Sequence, residues 1–385
     1  MAWLTLLSLA GIALALVYCL LIGQLLRAWF MLPECRPAHD WCPQTRLSII
    51  VPARNEALHI AACLQSLQQQ HYPRSLYEII VVDDYSTDAT ASAVQALAAP
   101  NLRLLSMAEQ FGPEAEQVSS KKKALELGIA FAHGQLIVTT DADCQAPQQW
   151  LRHLVFCYES TGAKAVAGPV LLRPLRNTLD RFQALDFVGT MLITAAGIRG
   201  QHFYLANGAN LAYEKIAFEI AGGFSGNEQF ASGDDIFLIQ KIAGRFPGQI
   251  AFAKSREAAT YTLPQHSWRA FLQQRLRWGT KNRSYDDWRV TAVAGLVFLL
   301  AWFILGGLLL LPFFPVFGAF FFLGLFLAKA LTDFLLLSTA ARFFGQTRLL
   351  RGFLRSELLY VAYMAIVGLL ALLVREYEWK GRRVR

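Results

Sequence analysis

Charge is scarce in this chain. Only 17% of its 385 residues are Asp, Glu, Lys or Arg, against about a quarter in an ordinary soluble domain, while 55% are hydrophobic. A large part of the chain must therefore face lipid. Neither G-x-G-x-x-G nor the P-loop pattern G-x-x-x-x-G-K-[ST] occurs, so dinucleotide binding and P-loop ATP hydrolysis lack their usual signatures. The six cysteines, at positions 19, 35, 42, 63, 144 and 157, form no C-x-x-C pair and no zinc spacing. A reduced domain is expected. No basic residue precedes the first apolar stretch and no small-residue cleavage site closes it, which favours a retained anchor over a signal peptide. Internal repeats, low-complexity tracts and long linkers are missing as well.

The apolar residues gather at the two ends, from Trp3 to Leu26 and from Val290 to Val374, and the middle has ordinary globular composition. The expected organisation is a transmembrane anchor at 1–27, a catalytic domain at 45–285, transmembrane helices within 290–374 and a basic tail at 375–385. Spanning helices are expected at 290–311, 313–337 and 358–374. Arg27 and Arg36 follow the first apolar stretch, so the positive-inside rule places the next domain in the cytosol of an integral membrane protein. Three later crossings would put the basic tail outside, against the same rule, so one segment is re-entrant or the count is off by one. Lys329 and Asp333 stand one turn apart inside an apolar stretch, either neutralising each other or marking a polar pathway. The segments near 172–204 and 264–282 mix apolar residues with charges such as Arg173, Asp180, Asp186 and Arg199, and are expected to be helices lying on the membrane plane.

Within the middle region, strands at 47–52, 78–82, 102–105 and 136–140 alternate with helical patterns at 57–70, 89–99 and 121–133. That alternation predicts an α/β fold with a largely parallel sheet. Polar residues follow the strand ends, at the edge where ligands bind in open α/β sheets. Asp83, Asp84 and Asp88 share one such loop, and Asp141 and Asp143 another. Like charges gathered this way call for a hard cation such as Mg²⁺ or Mn²⁺, although an aspartate at a strand end can equally be a turn former or helix cap.

These residues resemble the family 2 glycosyltransferases, especially the membrane branch that includes cellulose, hyaluronan and poly-N-acetylglucosamine synthases and glucosylceramide synthases. Val51-Pro52-Ala53-Arg54-Asn55-Glu56 is similar to the opening nucleotide loop, and Asp83-Asp84-Tyr85-Ser86-Thr87-Asp88 to the D-D-x-S-x-D loop. Asp141-Ala142-Asp143 resembles the D-x-D metal motif, Gly233-Asp234-Asp235 the (T/G)-E-D motif with Asp234 replacing glutamate, and Gln274-Arg275-Leu276-Arg277-Trp278 the Q-x-x-R-W motif. On a helix Gln274, Arg277 and Trp278 would share one face.

The resemblance implies a GT-A fold and an inverting, Mg²⁺- or Mn²⁺-dependent transfer from a nucleotide-diphosphate sugar, with UDP the expected nucleotide. Pro52, Arg54, Glu56, Asp84, Asp88, Lys121 and Asp141 would contact the nucleotide, and Asp143 with Asp141 the metal. Asp235 would be the base; Arg277, Trp278 and Gln274 would complete the catalytic set; and Asn210, Asp234 and Trp278 would face the acceptor. That acceptor is expected to be a lipid or lipid-linked molecule at the cytosolic membrane face, the alternative being a processive synthase of an exported polysaccharide. Membrane lipids are expected partners; nucleic acid is not.

Overall fold

The computed structural model describes residues 2–118, 121–226, 233–279, 288–373, 377–379 and 382–384. Most of the basic tail expected at 375–385 and the end of the segment expected at 264–282 therefore lie outside the described residues. The chain forms two compact units: one of Leu32–Pro174 with Tyr204–Leu263, the other of Met1–Met31, Leu175–Phe203 and Pro264–Arg385.

The first unit is built on a seven-stranded sheet. Its strands are β1 (Leu47–Ala53), β2 (Tyr77–Asp83), β3 (Leu102–Ser106), β4 (Leu136–Thr139), β5 (Ala165–Ala167), β7 (Leu211–Glu214) and β8 (Ile250–Phe252), in the order β3-β2-β1-β4-β7-β5-β8. A two-stranded parallel sheet pairs β6 (Val170–Leu172) with β9 (Thr260–Thr262). All neighbours in the large sheet run parallel except those of β7, which is antiparallel to both β4 and β5.

The sheet is covered on both faces, which is why β1 and β2 are almost continuously apolar. Ile49, Val51, Ile79 and Val81 pack with Ile60, Cys63, Leu64 and Leu67 of the Ile60–Gln68 helix and with Trp150, Leu151 and Leu154 of the Trp150–Thr161 helix. The alternate residues Ile50 and Val82 meet the Lys121–Phe131 helix, whose Gly128 is so close that an added Cβ would stand 2.6 Å from Ile50. Because the order is β2-β1-β4, the C-terminal ends of these three neighbours bring their following loops together. The site stands on that edge.

The four strands and three helical patterns expected from the sequence agree with this core, but β5 to β9 were not anticipated. Each is only three or four residues long, and their pairings join segments far apart in the chain, Val170 with Thr260 for β6 and β9, so no local alternation marks them.

The second unit is helical. Four segments are long and apolar enough to cross a membrane: Ala2–Met31, Trp288–Leu310, Pro315–Phe343 and Thr347–Ala371. The Thr178–Gly200 helix opens with a capping box between Asn177 and Asp180 and packs against the Ala2–Met31 and Pro315–Phe343 helices. It buries 16 of its 23 residues. The helix expected within 172–204 is therefore packed into the helical unit, against two of the helices apolar enough to span a membrane. Of the range expected at 45–285, Leu175–Phe203 and Pro264 onward group with the helical unit. The Trp268–Gly279 helix, carrying Gln274, Arg277 and Trp278, is anchored there by Phe271, which contacts Phe182 and Tyr363.

Candidate active site

Three strand-end loops form the floor of the site. After β1, Arg54 donates from Nη1 to the Asp84 carbonyl at 2.9 Å and from Nη2 to Glu116 at 2.8 Å, clamping the β1 and β2 loops. Asn55 adopts a left-handed φ of 54° and accepts from Thr87 N at 2.8 Å through its side chain. Asp88 accepts from Ala57 N at 3.1 Å and Thr90 N at 3.0 Å, and its proximity to Thr90 Oγ1 completes a helix-start cap. Although slight desolvation acts the other way, these donors lower its pKa. Asp88 thus ties the loop after β1 to the loop after β2, with its side chain exposed. Asp84 is buried, and Asp83 Oδ1 is buried with no hydrogen-bond partner among the described residues.

After β4, Asp141 and Asp143 stand on one side of the edge. A carboxylate oxygen of each and the Cys144 sulfur lie within 4.8 Å of one another. Asp143 accepts from Thr262 Oγ1 at 3.2 Å and from the Cys144 thiol at 3.6 Å. Its pKa is raised by burial and by the negative charges of Asp141 and Glu56. Burial and the Asp143 charge also raise the Cys144 thiol. Two carboxylates under mutual repulsion, with Glu56 adding to it, are a hard oxygen donor set that fits Mg²⁺ or Mn²⁺.

Lys121 reaches this pair from the first turn of its helix, with Nζ 2.5 Å from Asp141 Oδ1. Burial opposes its charge, but Asp141, Asp234 and Asp235 outweigh that and raise its pKa. On the far side, Asp235 accepts from Gly208 N and from Ile236 N, each at 2.8 Å. A Cβ added at Gly208 would stand 3.4 Å from Lys121 Nζ and 3.7 Å from Asp235 Oδ2. The lysine thus spans from the D-x-D pair to the second acid of the Gly233-Asp234-Asp235 motif. Burial, and then Asp234, push Asp235 up to about 6 against the opposing effects of Lys121 and the two backbone donors. Asp234, its neighbour, is buried at the start of the Asp234–Arg245 helix.

One expected site residue is not in the cleft. Asn210 is fully buried, its Nδ2 donating to Pro169 O at 2.7 Å and Ala258 O at 2.8 Å and its Oδ1 accepting from Trp150 Nε1 at 3.0 Å. Its amide is used up in fixing the core, so its acceptor-side assignment is corrected. Conversely, Thr262, Gly208 and Glu116 were not singled out from the sequence. Thr262 and Glu116 sit far along the chain from their partners with no motif around them, whereas the Asn207–Leu211 segment had been marked as an acceptor-side loop without Gly208 being chosen. Pro52 lies in β1 beside Val82, and Glu56 N is held by Thr90 Oγ1 at 2.8 Å.

In the helical unit, Arg275 lies inside the Q-x-x-R-W segment but was not among the residues singled out. It is buried against Trp278 at 4.5 Å and pairs with Asp186 at 2.6 Å. Gln274 and Arg277 are half-buried on the same helix.

Residues 48–228 match the family model Glycosyl transferase family 2. This segment is thus similar to the family 2 glycosyltransferases. Among relatives, the glycosyltransferase AglE of Haloferax volcanii is 36% identical over 32% of this chain and 39% of its own length. The beta-monoglucosyldiacylglycerol synthase of a Nostoc species is 33% identical over 63% of this chain and 50% of its own. The chain thus spans half or less of the length of these two relatives. Among solved structures, the mannosyltransferase PcManGT of Pyrobaculum calidifontis, in complex with GDP-Man and Mn²⁺, is similar with a TM-score of 0.58 at 23% identity, over 96% of this chain and 98% of that one. The fold is therefore that of the GT-A glycosyltransferases, with helices apolar enough to span a membrane added to it.

Proposed function

We propose that this chain transfers a sugar from a nucleoside-diphosphate donor, a UDP-sugar by the resemblance, to a hydroxyl of a lipid or lipid-linked acceptor, with inversion, on the cytosolic face of a membrane. The observation that carries this reading is the placement of Lys121 between Asp141 and Asp235, which sets a diphosphate pole and a base pole one side chain apart. The glycolipid-synthase relative supports a lipid acceptor.

The reaction balances as a single displacement. Asp235 accepts the proton of the acceptor hydroxyl while that oxygen bonds to the anomeric carbon, and the bond from this carbon to the diphosphate breaks with its electron pair leaving on the nucleotide. A pKa of about 6 leaves Asp235 ionised yet basic near neutrality. Asp143 and Asp141 would hold a divalent ion, which supplies charge stabilisation to the leaving diphosphate. Lys121 stabilises the same developing charge. Arg54 and Asp84, fixed by each other, and Pro52 shape the nucleotide pocket. Arg277 is assigned to the leaving group, Gln274 to the catalytic set and Trp278 to the acceptor side on the motif alone.

The test is product analysis. The full chain in native lipid is incubated with a panel of UDP-sugars and Mg²⁺ or Mn²⁺, and the labelled product is identified by mass spectrometry. A glycolipid that fails to form with Asp235→Asn supports the reading; a long polymer would replace it with a processive synthase; and metal-independent or absent donor turnover would reject it.

A further inference from the structure

The helical unit contains a cavity of about 600 Å³, including its open mouth, among the Ala2–Met31, Thr178–Gly200, Pro315–Phe343 and Phe353–Leu373 helices. Its wall is chemically divided. Ile22, Ile193, Leu336 and Leu337 give it an apolar part, while the carboxylates Asp186, Asp333 and Glu357 and the hydroxyls of Tyr18, Thr190, Ser356 and Tyr360 give it a polar part.

The cations belonging to these acids are withdrawn from it. Lys329, whose side chain is fully buried, places Nζ 2.5 Å from both Asp333 Oδ2 and Glu357 Oε1 and does not line the cavity. Arg275 is committed to Asp186 at 2.6 Å. Three carboxylates thus face the space with two cations behind them, and no Lys or Arg is among the lining residues. Tyr18 Oη further engages Asp333 Oδ1. A phosphate entering such a wall would meet like charge in a low dielectric, whereas neutral hydroxyls would meet acceptors and hydroxyl partners.

The depth suits an amphiphile. Trp29 packs on Phe343 and Phe344, so the ends of the first and third spanning helices lie level. At 1.5 Å per residue, Asp333 is about 15 Å inside the Phe343 end and Glu357 about 6 Å inside Phe353, within roughly one leaflet of a hydrocarbon core of about 30 Å. Headgroup and upper chain of a single lipid fit this span.

We propose that the cavity binds a neutral lipid with a free hydroxyl headgroup, excludes lipids ending in a phosphate monoester, and thereby selects the acceptor of the transfer. The proposal rests on the transferase reading above and deepens it by naming the acceptor class. The chemistry adds nothing to that displacement: the lipid hydroxyl supplies the oxygen and its proton goes to Asp235.

The experiment uses the full chain in phosphatidylcholine vesicles containing either a dioleoylglycerol or a dioleoyl phosphatidate, each with a photoactivatable group on one acyl chain. The expected result is labelling of peptides lining the cavity by the glycerol lipid at least ten-fold above the phosphatidate. Ile193→Trp, which fills the apolar part, should lose labelling and lipid glycosylation at least ten-fold while donor hydrolysis to water is unchanged; Ile193→Val should keep all three. Thr190→Lys, at an exposed position of the wall, should raise phosphatidate labelling, which a merely destabilised cavity would not do. Equal labelling by the two lipids, or labelling untouched by Ile193→Trp, overturns the proposal. Selective labelling of a chain that turns over no nucleotide sugar overturns the transferase reading and the acceptor role with it, and is distinguishable because the lipid site itself would still be seen.

Discussion

Lys121 Nζ contacts Asp141 Oδ1 at 2.5 Å, and a Cβ added at Gly208 would stand 3.4 Å from that nitrogen and 3.7 Å from Asp235 Oδ2. One cation therefore tempers both the metal-side carboxylates and the base. Lys121→Gln should weaken nucleotide binding and, because the lysine lowers the Asp235 pKa, move the acidic limb of the rate profile to higher pH. A pH series of initial rates beside a nucleotide titration checks both; an unmoved limb would separate Lys121 from the base.

With Asp235 as the proposed base, the same limb in the unsubstituted protein should follow its ionisation. Burial and Asp234 hold its pKa at about 6, and a base must be ionised, so the rate is full above this value and falls about ten-fold per unit as pH drops below it. Asp235→Asn should lower turnover by roughly 10²–10⁴ with donor binding retained, and Asp234→Asn by less. The opposite ranking would place the base one residue earlier.

Asp143→Ala should abolish Mn²⁺-dependent nucleotide binding, measured by calorimetry, while the thermal transition is kept. Thr262→Val, which removes only the hydroxyl that Asp143 accepts from at 3.2 Å, should weaken that binding several-fold without abolishing it. Normal Mn²⁺-dependent binding in Asp143→Ala would remove the metal assignment.

Asn210→Ala tests the correction made to its role. Removing the amide leaves Trp150 Nε1 and the Ala258 carbonyl without partners in the core and takes from the Pro169 carbonyl one of its two donors, Thr260 N remaining at 3.0 Å, at a cost on the order of 3 kcal/mol. Denaturant unfolding should show the loss, and nucleotide affinity per folded molecule should be unchanged. A stable variant with altered acceptor use would restore the residue to the site.

By itself the sequence determined the central sheet, the acidic loops and the apolar ends. These are local signals: β1 and β2 are continuous apolar runs because both their faces are covered, and the aspartates follow them directly because ligands bind where parallel strands end. Hydropathy likewise located the helices able to span a membrane, since length and composition are sufficient for that.

Tertiary structure decided what depends on distant residues meeting. Asn210 carries the same donor and acceptor atoms whether it binds a ligand or fixes the core, and only its neighbours, Trp150 among them, distinguish the two uses. The Thr178–Gly200 helix has a composition that fits a membrane surface, and packing against the Ala2–Met31 and Pro315–Phe343 helices is what buried it. Lys329 and Asp333 are visible as a pair one turn apart, but Glu357, the third member, comes from another helix and changes the charge count. Electrostatics falls off with distance in space and not along the chain, so the sequence supplied the charged groups and the fold chose their partners.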